Sequence, residues 1–525
     1  MTKKNLIMMG LSVFLLTGLS TSSFFLQNTL SRIIENNEQT PSQLNFALTH
    51  NNTIALFHVW QQAEYGSEKW RDISKKLANT EGEVAYQLAE FYLEKKHRDK
   101  NIAINSEQAI LWYQQAIRLN YFKAFVRLAR LYFSQGDILK AQALLDRLPL
   151  NKLIQNENNT AVFAIVLMIE IAINKGDVAV IRTLLTQYSL LLQRNEIGIS
   201  LLSKAAKYRV LVSLDEGRIN DDQNAKHCPN SIQVFATTLA HLEQAEQTVK
   251  ELAKQPLNNA VCFLPVRYIP FSSLSCSSDK QSAILCDESE LDDIAASVPS
   301  RYIAMMLPKG GANVHFGMLY FDAQDNVDVI AHEISHLLGF IDEYPLTEGH
   351  VKCLASQEEA FSQNIAVLQN AYHGKRSIIR NEVLKQLPWR NLIKETTPIL
   401  HAVDHNSQND QHWQLGTSNA FKKEVGLFKA KTCDKNSIEQ QSAISAFKPL
   451  FKRTKLEYNQ VDFPSPYLTL LDKHLEQFRM PSFHYNIALA HYQKNNIKQA
   501  NYWLTQAAKW ESTHSRKGKE REGHF

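Results

Sequence analysis

The chain has 525 residues, with 57 basic and 53 acidic side chains and a net charge of +4. It is too long for one ordinary domain, so about two or three are expected. Its charge is too evenly balanced to mark it as a nucleic-acid binder or as the partner of an anionic surface.

The N-terminus carries Lys3 and Lys4 before the apolar run Leu6–Leu19, followed by polar Ser20–Ser23 and then Phe24–Leu26. A positive end ahead of an apolar segment is an export signal, so residues 1–26 read as a signal peptide or a signal anchor. If uncleaved, Leu6–Leu26 is long enough to cross a bilayer once. The lysines would then keep the N-terminus cytoplasmic and send the remainder out. An exported chain is expected, either free in the periplasm or anchored in the inner membrane and facing it. Residues 27–45 are polar and read as a linker.

From 46 to 215 the pattern is helical. Leu88-Ala89 and Leu128-Ala129 share a spacing, and Gly136-Asp137 returns at the same interval as Gly176-Asp177. Each Gly-Asp precedes a new helical run, as a turn between paired helices would. Together with Tyr92, Ala116, Tyr132 and Ala141, these positions resemble tetratricopeptide or Sel1-like repeats. Such pairs stack because no single pair buries its own apolar face. The resemblance implies either a groove for a protein partner or a scaffold.

The character changes near 224. Segments 261–269, 301–308 and 314–322 read as strands, and 403–419 as a loop. All six cysteines lie at 228 or beyond. Their even number suits three disulfides in an oxidising compartment. Spacing does not choose among the pairings; taken by local order they are Cys228–Cys262, Cys276–Cys286 and Cys353–Cys433. Residues 224–477 are expected to form the central domain. A helical pair returns over 478–515, with Ala488, Tyr492, Ala500 and Ala507 repeating the earlier grammar. The tail 516–525 is basic and reads as a solvated end.

The chemistry lies in AHEISHLLGFIDEY, Ala331–Tyr344. His332 and His336 are one helical turn apart and share a face. Glu333 is displaced around the helix, where it can serve a water rather than join the imidazoles. Val329, Ile330, Ile334, Leu337 and Leu338 would bury the helix. Gly339 falls where the helix must end. Asp342 then offers a carboxylate as third ligand, completing HExxHxxGxxD; Glu343 and His350 are the alternatives. No GxSxG or phosphate-binding loop is present.

That pattern resembles the metzincin zinc peptidases, with Asp in place of the commoner third His. With GFIDEY it is also similar to the aspartate-containing bacterial peptidases whose founding member cuts immunoglobulin A. The resemblance covers about 30 residues. It implies that His332, His336 and Asp342 hold Zn2+ and that Glu333 is the catalytic base. It implies further that 314–322 is an edge strand for extended substrate. Val425–Cys433 would belong to the far half of the site. Metzincins also pass a methionine beneath the metal, whereas no methionine occurs between Asp342 and Phe478. Tyr344 is a candidate oxyanion donor; Tyr458 and Tyr467 are further candidates by downstream position only, with a structural role the better reading for each.

The whole is expected to be an α+β multidomain protein, with an N-terminal α-helical repeat array, a central metzincin-like zincin domain and a C-terminal helical pair. The expected activity is that of a zinc endopeptidase acting on an extracytoplasmic protein. The alternatives are a cell-envelope repeat scaffold or peptide-binding protein with a zinc-stabilised inactive peptidase domain, and a zinc hydrolase acting on a non-protein bond such as a cell-wall amide.

Overall fold

A computed structural model describes residues 25–94, 102–155, 159–211, 228–277, 283–403, 412–435 and 443–523. The export segment therefore lies almost wholly outside the described residues. Among those residues, no helix is long and apolar enough to cross a membrane. The fold is α+β, and the chain divides into two units: Met1–Ile171 with Leu190–Gly198, and Ala172–Ser189 with Ile199–Phe525.

The first unit is helical. The stretch read as a linker contains a helix over 25–35 and another at Pro41–Thr49. Thr40 and Gln43 form a reciprocal capping box at the second, and Pro41 occupies its first turn. Successive helices Glu68–Leu77, Gly82–Leu93, Ile102–Arg118, Phe122–Ser134 and Ile138–Leu145 each pack on the next. Ala85, Ala89, Ala109, Ala116, Ala124 and Ala129 are fully buried, so backbones approach closely where helices cross. Gly136 has a φ of 82°, the left-handed conformation that lets one helix end and the next begin.

The second unit is built on one main sheet. Strands β1 (Ser231–Ala236), β2 (Cys262–Phe263), β3 (Arg267–Tyr268), β6 (Tyr302–Leu307), β7 (Asn313–His315) and β8 (Met318–Asp322) form it; β4 (Cys276–Ser277) and β5 (Leu285–Cys286) make a separate small hairpin. The order is β2-β1-β6-β8-β7, with β3 also on β1. β1, β6 and β8 are parallel and buried at every position, and β7 is an antiparallel edge. Strands covered on both faces favour near-continuous apolar runs, as in β6 and β8, whereas β1 also buries Ser231 and Gln233.

Two expected strands are divided. Pro265 interrupts 261–269, leaving β2 and β3 to pair with β1 in turn. The segment 314–322 folds back on itself, because Phe316 and Gly317 have φ of 37° and 84° and make a two-residue hairpin turn. The free edge is thus β7, and β8 lies inside the sheet. β1 escaped the sequence reading: it is short, and its polar residues Ser231 and Gln233 are buried along with its apolar ones.

Helix α1 (Leu239–Leu252) and helix α2 (Val327–Leu337) both pack against the sheet. Beyond α2 the chain forms two three-stranded antiparallel sheets. One is ordered β13-β14-β9, from Phe428–Lys429, Ile444–Lys448 and Ala366–Gln369. The other is ordered β10-β12-β11, from Ala371–His373, His412–Leu415 and Leu400–Ala402. The disulfides are Cys228–Cys262, Cys276–Cys286 and Cys353–Cys433, as local order indicates. They suit maturation in an oxidising environment.

Four helices close the unit: α3 (Ser465–Phe478), α4 (Phe483–Gln493), α5 (Ile497–Ala508) and α6 (His514–Glu522). Phe483, Ile487, Ala488 and Trp503 share a core with Ile303, Met305 and Met318 of the sheet. The basic tail is not a frayed end: α6 buries Arg516 and Glu520. Arg516 Nε donates to Glu511 Oε2 at 2.6 Å, and Glu511 also pairs with fully buried Arg301.

His484 is buried among Phe483, Trp503 and Trp510, and burial pushes its imidazole down to about 3. The ordinary imidazole value is near 6.5, so only the unfolded chain takes up this proton as pH falls. Stability is expected to drop by about 3 kcal/mol from this residue alone between pH 6.5 and 4. Urea titrations of wild type and His484→Phe across that range check it; equal pH slopes in the two proteins would refute the assignment.

Candidate metal centre

Asn326 starts α2 by accepting the Asp328 and Val329 amides on its side chain. Ile330, Ile334 and Leu337 are buried and fix the helix against the sheet. The helix ends in a Schellman turn. The Gly339 N–H donates to the His336 carbonyl at 3.0 Å, and the Phe340 N–H to the Ser335 carbonyl at 3.1 Å. Gly339 has a φ of 88°, and a Cβ there would sit 2.4 Å from the Phe478 carbonyl oxygen. Only glycine satisfies both demands. The backbone N–H of Met480, just past the methionine-free stretch, donates to the Leu337 carbonyl at 2.9 Å.

This turn brings Asp342 back over the histidines. His332 Nε2 lies 3.1 Å and His336 Nε2 3.3 Å from Asp342 Oδ1, and the two Nε2 atoms are 3.2 Å apart. Donors on a tetrahedral ion with bonds of about 2.0–2.1 Å are separated by about 3.3 Å. His332, Glu333 and His336 also each present one ligand atom within 4.8 Å of the others.

The outer ring nitrogens fix the direction of the inner ones. His332 Nδ1 lies 2.7 Å from the Lys455 carbonyl, and His336 Nδ1 lies 3.0 Å from the Phe340 carbonyl. A carbonyl only accepts, so each Nδ1 carries the proton and each neutral ring points a lone pair inward. Three acceptors then face one another, and Asp342 Oδ1 is buried with no hydrogen-bond donor aimed at it. That arrangement requires a cation, whether a metal ion or a proton.

The electrostatics reflect the proton in that role. Burial alone would lower His336, but the Asp342 carboxylate outweighs it and lifts the ring to about 9. Burial alone would raise Asp342, but the two imidazoles hold it well below the usual carboxylate range. Glu333 is raised, first by burial and then by Asp342, against the pull of the histidines. Tyr344 is raised by burial and by Asp342, and its ring stacks 6.2 Å from that of His332.

The alternative third ligands are placed otherwise. Glu343 is fully buried and turned away, 2.8 Å from Lys448 Nζ, and it accepts from Tyr467 Oη at 2.5 Å and Asn364 Nδ2 at 3.2 Å. His350 caps a short turn through the Lys352 amide. Tyr467 donates to buried Glu343 and lies away from the triangle, and Tyr458 is half exposed on Gln460. Thr432, within the expected far half-site, donates to the Asp342 carbonyl at 2.8 Å.

Sequence reasoning missed the supports. Lys455 orients His332 by its carbonyl, while its Nζ bonds Asp328 Oδ1 at 2.8 Å near the start of the same helix. Backbone carbonyls leave no sequence signature, and Lys455 is 123 residues from His332. Lys448, buried between Glu343 and Glu457, was missed for the same reason.

Comparison with protein-family profiles, curated proteins and solved structures returns no match.

Proposed function

We propose that this protein is a zinc-dependent endopeptidase of the metzincin type, acting on an extracytoplasmic protein. The observation that carries the proposal is the triangle of His332, His336 and Asp342 with Glu333 beside it. Two imidazoles and one carboxylate form a donor set suited to zinc, leaving a coordination position open. Bound zinc would supply Lewis acidity, acidifying water and polarising the scissile carbonyl. Glu333 would take the proton of the attacking water and return it to the departing amine. Burial suits it to that task, since a raised carboxyl is a better base near neutral pH. Tyr344, half exposed beside Asp342, would donate to the oxygen that gains charge. The β7 edge would pair with an extended peptide. The helical first unit, repeat-like in its buried alanines, would dock the substrate or an envelope partner. Export through the N-terminal segment accounts for the disulfides.

The full-length protein, purified without chelator, is expected to carry about one zinc ion per chain by mass spectrometry. His332→Ala and Asp342→Ala are each expected to lose it. Zinc content equal to wild type in both variants would overturn the ligand assignment.

A further inference from the structure

The small sheet β10-β12-β11 carries a second group of imidazoles. His373 and His412 are directly opposed across β10 and β12. Their rings meet at a centroid distance of 3.9 Å with planes 74° apart, and both residues are exposed. On the third strand, His401 opposes Gln414, which lies two residues from His412. Side chains alternate along a strand, so His401 shares the face of His373 and His412. The opposite face takes Leu400 and Leu415, both buried, together with Trp413. Trp413 fastens that face: its Nε1 donates to the Gly374 carbonyl at 2.9 Å, and the Arg376 guanidinium lies 5.4 Å from its ring centre.

We propose that His373 and His412 form a second transition-metal site, distinct from the α2 centre, with His401 next to them on the same face. Directly opposed residues hold their Cβ atoms about 4.5–5.5 Å apart, a spacing that lets two imidazoles close on one ion. Imidazole selects zinc, copper or nickel over calcium and magnesium, which require several oxygen ligands. The site is solvent-exposed and the pair includes no carboxylate to act as a base. It therefore binds an ion without hydrolysing anything, and more weakly than three ligands held in a buried triangle.

The full-length protein stripped of metal and titrated with Zn2+ by calorimetry is expected to show a tight phase and a weaker phase. His373→Ala and His412→Ala should each abolish the weaker phase and keep the tight one, and His332→Ala should do the reverse. These substitutions at 373 and 412 are on the surface, so the fold is expected to survive them. A single phase in wild type that is unchanged in His373→Ala and His412→Ala overturns the proposal, as does a weaker phase that persists in both variants. A wild type that shows no tight phase, with the weaker phase present and dependent on His373, would defeat the peptidase reading and leave this site standing.

Discussion

Glu333→Gln is expected to keep its zinc and to lose peptide hydrolysis by about a hundredfold to ten-thousandfold. The substitution preserves size and leaves the imidazole–carboxylate triangle untouched, because Glu333 makes none of its three close contacts. What disappears is a group able to accept a proton. A screen of wild type and variant against a peptide library measures the ratio, with metal content determined on the same samples. Equal cleavage by the two proteins would remove Glu333 from the mechanism. Loss of cleavage together with loss of zinc would make it a ligand instead, since it too offers an oxygen near both rings.

The second large effect concerns stability. Lys448→Met is expected to cost about 3–5 kcal/mol, because it leaves the fully buried Glu343 carboxylate without its cation. Tyr467 and Asn364 would still donate to Glu343, yet neutral donors do not replace a charge in a low-dielectric interior. Adding Glu343→Gln to Lys448→Met should recover most of the loss, since the amide oxygen can keep the Tyr467 bond and the stranded charge is gone. Urea unfolding of the three proteins tests this; a single Lys448→Met within about 1 kcal/mol of wild type would show that the pair is not the anchor its burial implies. Metal affinity should follow the same order. Glu343 adjoins Asp342, and its backbone is held on both sides by the Leu456 carbonyl and the Lys431 amide.

The legible part of the site was the part written in local spacing. The four-residue interval of His332 and His336, the glycine that must end the helix and the carboxylate after the turn all lie within a dozen or so residues. Their geometry follows from helix periodicity and one left-handed residue. The three disulfides follow the order of the cysteines along the chain, although spacing did not select that pairing, since Cys262 is bonded to Cys228 rather than to the nearer Cys276. What the sequence hid depends on distant chain. β1 is short and buries Ser231 and Gln233 beside its apolar residues, so no pattern marks it as a covered strand, and 314–322 looked continuous because a Phe-Gly turn interrupts no apolar run. The burial of the basic tail was hidden for another reason. Arg516 enters the interior because Glu511, itself paired with Arg301, waits there, and composition does not record partners.

The two imidazoles differ in how their orientation arises. His336 is aimed by the Phe340 carbonyl, part of the turn that ends its own helix, so that half of the centre can assemble as soon as α2 and its cap exist. His332 is aimed by the Lys455 carbonyl, which arrives only after more than a hundred further residues have folded into place. Closing so long a loop is slow and carries an entropic cost that short-range contacts do not. Assembly of the centre is therefore sequential, and its last step reports on the state of the whole unit. A chain cut before residue 448 would still contain every ligand, yet hold one of them unaimed. On the proposed metal-binding function, partly folded chains are expected to bind the ion more loosely than the folded unit does.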